Sequence, residues 1–102
     1  MEKGNFNSII QDPRPVVVDF HAIWCGPCKA QSPILRDVAT EMGDRIRVIK
    51  IDVDRNPEIA SRFGIQGVPT LMIFRKGEIK YKQAGVHDKS RLIQVLNKAF
   101  EH

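Results

Sequence analysis

The chain carries two cysteines, Cys25 and Cys28, within the run Trp24-Cys25-Gly26-Pro27-Cys28. On a helix, positions i and i+3 are neighbours about 5–6 Å apart. That separation lies within the Cα range a disulfide tolerates, so the pair can close and reopen without gross distortion. A bridge over so short a loop stabilises a fold by only about 2 kcal/mol on the chain-entropy model, so reversible chemistry explains it better than stability does. With Cys25 at a helix N-terminus, free backbone N–H groups and the helix dipole favour negative charge. The thiol pKa falls, and the thiolate is the nucleophile. Cys28, one turn further in, is expected to be better shielded and less reactive. The spacing predicts two steps. Cys25 attacks a disulfide in a partner, and Cys28 then attacks Cys25 and releases the reduced partner. Gly26 lets a partner backbone approach, and Pro27 suits a first helical turn because it donates no N–H.

Other uses of a Cys-x-x-Cys pair are poorly served. Structural zinc normally takes four ligands, often as two spaced pairs, whereas His21, His87 and His102 are scattered; no metal is expected. Two inert buried thiols would explain neither the spacing nor the adjoining β-α-β pattern, which together mark a redox site. A secreted mini-protein would carry more cysteines, placed to close long loops.

The 102 residues suffice for one domain over 1–102. With 42% hydrophobic and 27% charged residues the composition is that of a soluble globular chain. No apolar run approaches the roughly 18 residues of a membrane span. Met1 to Gln11 is polar and lacks the apolar core of a signal peptide, so a cytoplasmic location is expected. The net charge of +4 raises the question of nucleic acid. The basic residues are spread out and mixed with acids, without the clustered patch such binding needs, and no nucleic-acid partner is expected.

The elements that would position the pair follow from local signals. Asn5 to Ile10 reads as a short helix with an Asn cap, stopped by Pro13 and Pro15. Val16-Val17-Val18-Asp19-Phe20 reads as a buried, central, parallel strand. From Cys28 onward, Ala30, Ile34, Leu35, Val38, Ala39 and Met42 recur at helical spacing. Gly43 is the stop, and Pro33 should kink the helix. Ile46 to Val53 is a second strand. Asn56-Pro57-Glu58 starts a helix with a cap, running to Phe63 and stopping at Gly64. Thr70 to Phe74 is a third strand, and Lys76-Gly77 turns tightly into a fourth, Glu78 to Gln83. Asp88 caps a last helix with Leu92, Ile93, Val95, Leu96, Ala99 and Phe100 inward. The order β-α-β-α followed by a hairpin and a helix predicts an α/β fold, a mixed sheet with helices on both faces.

Asp19 interrupts an apolar strand. Either it lies at a strand end facing water, or it is buried and its pKa is raised. Trp24 either packs in the core or stays partly exposed beside the nucleophile.

Over nearly its whole length the sequence resembles the thioredoxin family, through VVVDF, WCGPCK, Pro33, KIDVDRNPEIASRFGI, GVPTLMIF, RKGE and Gly85. The resemblance implies the thioredoxin fold, a central mixed sheet of four to five strands, and general protein-disulfide reductase activity. Electrons would come from an NADPH-dependent thioredoxin reductase and pass to disulfide-containing client proteins, with no bound cofactor beyond the redox-active Cys25–Cys28 disulfide and a monomeric chain. Asp19 would be the buried carboxylate beneath the cysteines, acting as a general base for Cys28, with Lys50 near it. Pro69 would follow a cis peptide bond, against the disulfide, and would present the Val68 backbone to an extended client. Trp24, Gly26, Pro27, Gly67, Val68, Pro69, Ala84 and Gly85 would form a flat, mostly apolar docking surface.

The sequence departs from the family in two places. His21 stands where an aromatic, most often Trp, is usual, and Ile23 where a polar residue is common. A cationic His21 near the cysteines would favour the thiolate and raise the reduction potential; a neutral one merely packs, and packing is the favoured reading. Few residues precede Val16, so four clear strands are expected, with a fifth short or absent. Two other functions remain open on the sequence: an oxidase or isomerase of the same fold, and a binding subunit for which redox is incidental.

Overall fold

A computed structural model describes residues 3–101; His102, weighed above as a metal ligand, lies outside them. The elements are α1 (Lys3–Ile9), β1 (Val16–His21), α2 (Gly26–Met42), a 3₁₀ turn (Gly43–Arg45), β2 (Arg47–Asp52), α3 (Pro57–Arg62), β3 (Thr70–Arg75), β4 (Glu78–Ala84) and α4 (Lys89–Ala99). The four strands form one sheet in the order β2-β1-β3-β4. β1 and β2 run parallel, joined by the α2 crossover, while β1/β3 and β3/β4 are antiparallel. Among the described residues there is no fifth strand, and β2 and β4 form the outer edges. No helix among them is long and apolar enough to cross a membrane.

The pleat divides β1 between two cores. Val17 joins Leu35, Val38, Met42, Leu71, Ile73, Leu92 and Leu96 beneath α2 and α4. Val16, Val18 and Phe20 join Phe6, Ile10, Ile51, Ile59, Met72 and Phe74 beneath α1 and α3. β1 is buried on both faces, which is why its apolar residues do not alternate with polar ones and Asp19 stands out as the one interruption before His21.

Some boundaries differ from the sequence expectation. α1 begins at Lys3, so Asn5 lies inside the helix and does not cap it. α2 begins at Gly26, because Pro27 and Gly26 can occupy a first turn whose N–H groups need no helical partner. Pro33 sits inside that helix. Ala30 is exposed, and the buried stripe runs Cys28, Gln31, Leu35, Val38, Met42. Ile93 and Phe100 are only half-buried. Asn56 makes no side-chain cap; its amide donates to Asp52 O at 3.0 Å, and so ties α3 back to the end of β2. The hairpin turn forms at Lys76 and Gly77, with φ of 54° and 81°. A side chain at residue 77 would also displace the flexible Gln11 amide, but it is the positive φ that calls for glycine there.

Candidate functional site

Cys25 and Cys28 form a disulfide with Cα atoms 5.3 Å apart. β1 ends at His21, Ala22 O accepts from Cys25 N at 3.2 Å, and α2 starts immediately after Cys25. Cys25 is thus the N-cap residue of α2. Its Sγ accepts from Cys28 N at 3.1 Å, the place where a capping oxygen usually sits. A thiolate there would meet an N–H and the positive end of a 17-residue helix. Shielding does not distinguish the cysteines as expected: they are 3% and 4% exposed. Their asymmetry is electrostatic, set by which sulfur caps the helix.

Asp19 is fully buried and its side chain lies on the α2 side of β1, between Val17 and His21. Neither carboxylate oxygen has a hydrogen-bond partner. Burial pushes its pKa up, and the charges of Lys50 and His21 only partly offset this. Lys50 is Asp19's register partner on β2, yet it makes no hydrogen bond to the carboxylate. Its ammonium donates to Ser32 Oγ at 2.7 Å, at the solvent edge. It acts on Asp19 through space. A crevice has His21, Ala22, Ile23, Cys28, Lys29, Ser32 and Lys50 in its wall, so His21 and Cys28 line one opening.

Around the disulfide, Ala22, Val53 and Val68 pack against the two cysteines. The Val68–Pro69 peptide is cis. Pro69 is buried, Val68 half-buried and Gly67 exposed, and Thr70 Oγ1 donates to Gly67 O at 2.6 Å, fixing the loop. Gly85 N donates to Pro69 O at 2.9 Å, which brings the Ala84–Gly85 segment beside the proline. Gly85 has φ of 99°, a conformation that side chains resist. Gly26, Pro27, Ala84 and Gly85 are exposed. Trp24 is 71% exposed, so it stands at the surface and not in the core.

Two residues of this neighbourhood, Asp54 and Gln31, were not singled out by the sequence, and a third, His87, was weighed there only as a metal ligand. Asp54 Oδ2 accepts from the Trp24 indole N–H at 2.8 Å. An Asx turn places it, with Asp52 Oδ1 accepting from Asp54 N and Arg55 N at 2.9 and 3.3 Å. Gln31 and His87 are both buried and hydrogen-bonded to each other. Gln31 falls on the same face of α2 as Cys28 and Leu35, and that spacing was the available signal.

The sequence profile of the Thioredoxin family matches residues 1–98. A thioredoxin-like protein of Synechocystis sp. is 45% identical over 94 residues, 91% of this chain and 90% of that protein. Thioredoxin of Rickettsia prowazekii is 40% identical over 93 residues, 91% and 89% of the two chains. Among solved structures, chloroplastic thioredoxin z superposes with a TM-score of 0.89 at 31% identity, covering 100% of this chain and 93% of that one. With a close cysteine pair at a helix N-terminus, an architecture suited to thiol–disulfide exchange, this chain belongs to the thioredoxin family.

Proposed function

We propose that the chain is a general protein-disulfide reductase of the cytoplasm, recharged by an NADPH-dependent thioredoxin reductase. The observation that carries this reading is the Cys25 sulfur at the N-cap of α2, accepting the Cys28 N–H. That environment favours Cys25 as the attacking thiolate. Its sulfur attacks one sulfur of a client disulfide; a mixed disulfide forms and the other client sulfur leaves as a thiolate. Cys28 then loses its proton to the Asp19 carboxylate and attacks Cys25 Sγ. The second client sulfur leaves, the client has gained two electrons, and the Cys25–Cys28 disulfide remains. Asp19 suits the proton transfer because burial raises its pKa towards that of a thiol. Trp24, Gly26, Pro27, Gly67, Val68, Pro69, Ala84 and Gly85 surround the disulfide as the client surface, with the Val68 backbone open to strand-like pairing. A cytoplasmic dithiol is kept reduced by its surroundings and is oxidised only in turnover.

The test is insulin reduction with a little dithiothreitol, followed by precipitation. Strong acceleration, abolished in Cys25→Ser, is expected. No acceleration by the wild type overturns the reading and leaves a binding subunit as the better account.

A further inference from the structure

Gln31 and His87 lie 56 positions apart and meet in the core. Gln31 is 0% exposed and sits one turn after Cys28 on α2. Its amide grips both backbone polar groups of a single residue: Nε2 donates to His87 O at 3.0 Å, and Oε1 accepts from His87 N at 2.7 Å. The imidazole continues the chain of contacts. Nδ1 lies 2.9 Å from Gly85 O, and Nε2 lies 2.7 Å from the Tyr81 hydroxyl. A carbonyl only accepts, so Nδ1 carries the proton and Tyr81 donates to Nε2. Gly85 N donates in turn to Pro69 O.

The result is an unbroken hydrogen-bonded path from the redox helix, through Gln31 and His87, to Gly85 and the Pro69 loop. Gln31 pairs the backbone N–H and C=O of His87, groups a core must satisfy in any case; the further bonds of the imidazole to Gly85 O and the Tyr81 hydroxyl go beyond that need. A buried polar network whose members are all satisfied fixes one geometry. Burial holds His87 in its neutral form by lowering its pKa, which keeps that geometry unchanged at neutral pH.

We propose that Gln31 and His87 are positioning residues: they clamp the Ala84–Gly85 rim to the helix bearing Cys28, so that the rim is already set when an extended client docks. This role rests on the reductase reading above. The expected cost of losing the clamp falls on docking and spares the sulfur chemistry, because the hydrogen bonds of the two residues run to each other, Gly85 and Tyr81 and not to the sulfurs.

The test compares wild type, Gln31→Leu and His87→Leu on insulin and on 5,5′-dithiobis(2-nitrobenzoic acid), a small disulfide that needs no rim. Gln31→Leu should raise the insulin KM about five- to ten-fold, the scale of one or two hydrogen bonds. Its insulin kcat and its rate with the small disulfide should stay within about two-fold of wild type. His87→Leu keeps the backbone grip of Gln31 and should give a smaller rise in KM. Amide hydrogen exchange reads the clamp without any client: the His87 and Gly85 amides should exchange at least about ten-fold faster in Gln31→Leu, with β1 unaffected. Unchanged exchange overturns the clamp. An unchanged insulin KM, or an equal fall with both disulfides, overturns the positioning role. A wild type active on the small disulfide yet inert on insulin overturns the reductase reading and the docking role with it, and the exchange data then still decide whether the clamp exists.

Discussion

The two faces of the sheet are built on different principles. Beneath α1 and α3, Phe6, Phe63 and Phe74 meet with ring centroids 5.3–5.9 Å apart, and Phe20 stands 6.5 Å from Phe63. That side is apolar and aromatic, and its contacts are worth what burial and ring packing give. Beneath α2 and α4, an equally apolar cluster is interrupted by Asp19, Gln31 and His87. Gln31 and His87 are satisfied and Asp19 is not. Three of the four buried polar residues among those described, Asp19, Gln31 and His87, lie on the side where α2 carries the cysteines; the fourth, Thr70, shares the face of Phe20 and Met72. One face is held by apolar and aromatic packing; the other adds buried polar groups to an apolar core where chemistry and docking require them.

Breaking the aromatic side should have the largest effect. Phe6→Ala should cost about 3–5 kcal/mol in urea unfolding, while the folded fraction keeps its rate of disulfide exchange. A loss of exchange per folded molecule would show that the two faces are not separable. Asp19→Asn should act in the opposite sense. Removing an unpartnered buried charge should raise stability at neutral pH by about 1–3 kcal/mol and slow release of the mixed disulfide about ten- to a hundred-fold. The pH dependence sharpens the point. The folded pKa of Asp19 is raised, so its unfavourable ionisation is absent below the ordinary value of 3.8 and sets in as pH rises through the folded pKa. The wild type should therefore match the variant in acid and fall behind it as pH rises. A constant gap from pH 4 to 8 would contradict this.

A smaller effect is expected at His87, whose pKa burial lowers. Its neutral form is fully retained in both states above about 6.5, and stability is lost as pH falls through the folded value. Thermal unfolding at pH 7.5 and pH 5 should show a larger drop for wild type than for His87→Leu. The smallest change should come from Lys89→Ala. It removes an exposed ion pair with Glu41 at 3.1 Å between α4 and α2, and should shift stability by less than about 0.5 kcal/mol.

The cysteine pair, the β1 strand around Asp19, the glycine stops and the Lys76-Gly77 turn are local features, and each was legible in the sequence. Chain direction and crossover order then left little freedom in the sheet. The Gln31–His87 contact was not legible, since a glutamine on a helix reads as solvent-facing and its partner lies 56 positions away. Lys50 shows the same limit in reverse. Its register opposite Asp19 follows from the parallel strands, but its bond to Ser32 depends on how α2 lies over β2. Asn56 carried the right residue type for a cap and was used instead to tie α3 to β2.

The open margin at β2 has a consequence for the chain in crowded solution. A strand with one unpaired side is a template on which another molecule can grow. Here that margin bears Arg47 and Lys50 within six residues. A second copy lying along it would bring ammonium and guanidinium groups close to their own equals, on a chain already carrying a net charge of +4. The opposite margin, β4, carries Lys82 and, paired with Glu78 at 2.9 Å, Lys80. Both ends of the sheet thus carry an electrostatic fence, which makes end-to-end stacking into fibres costly.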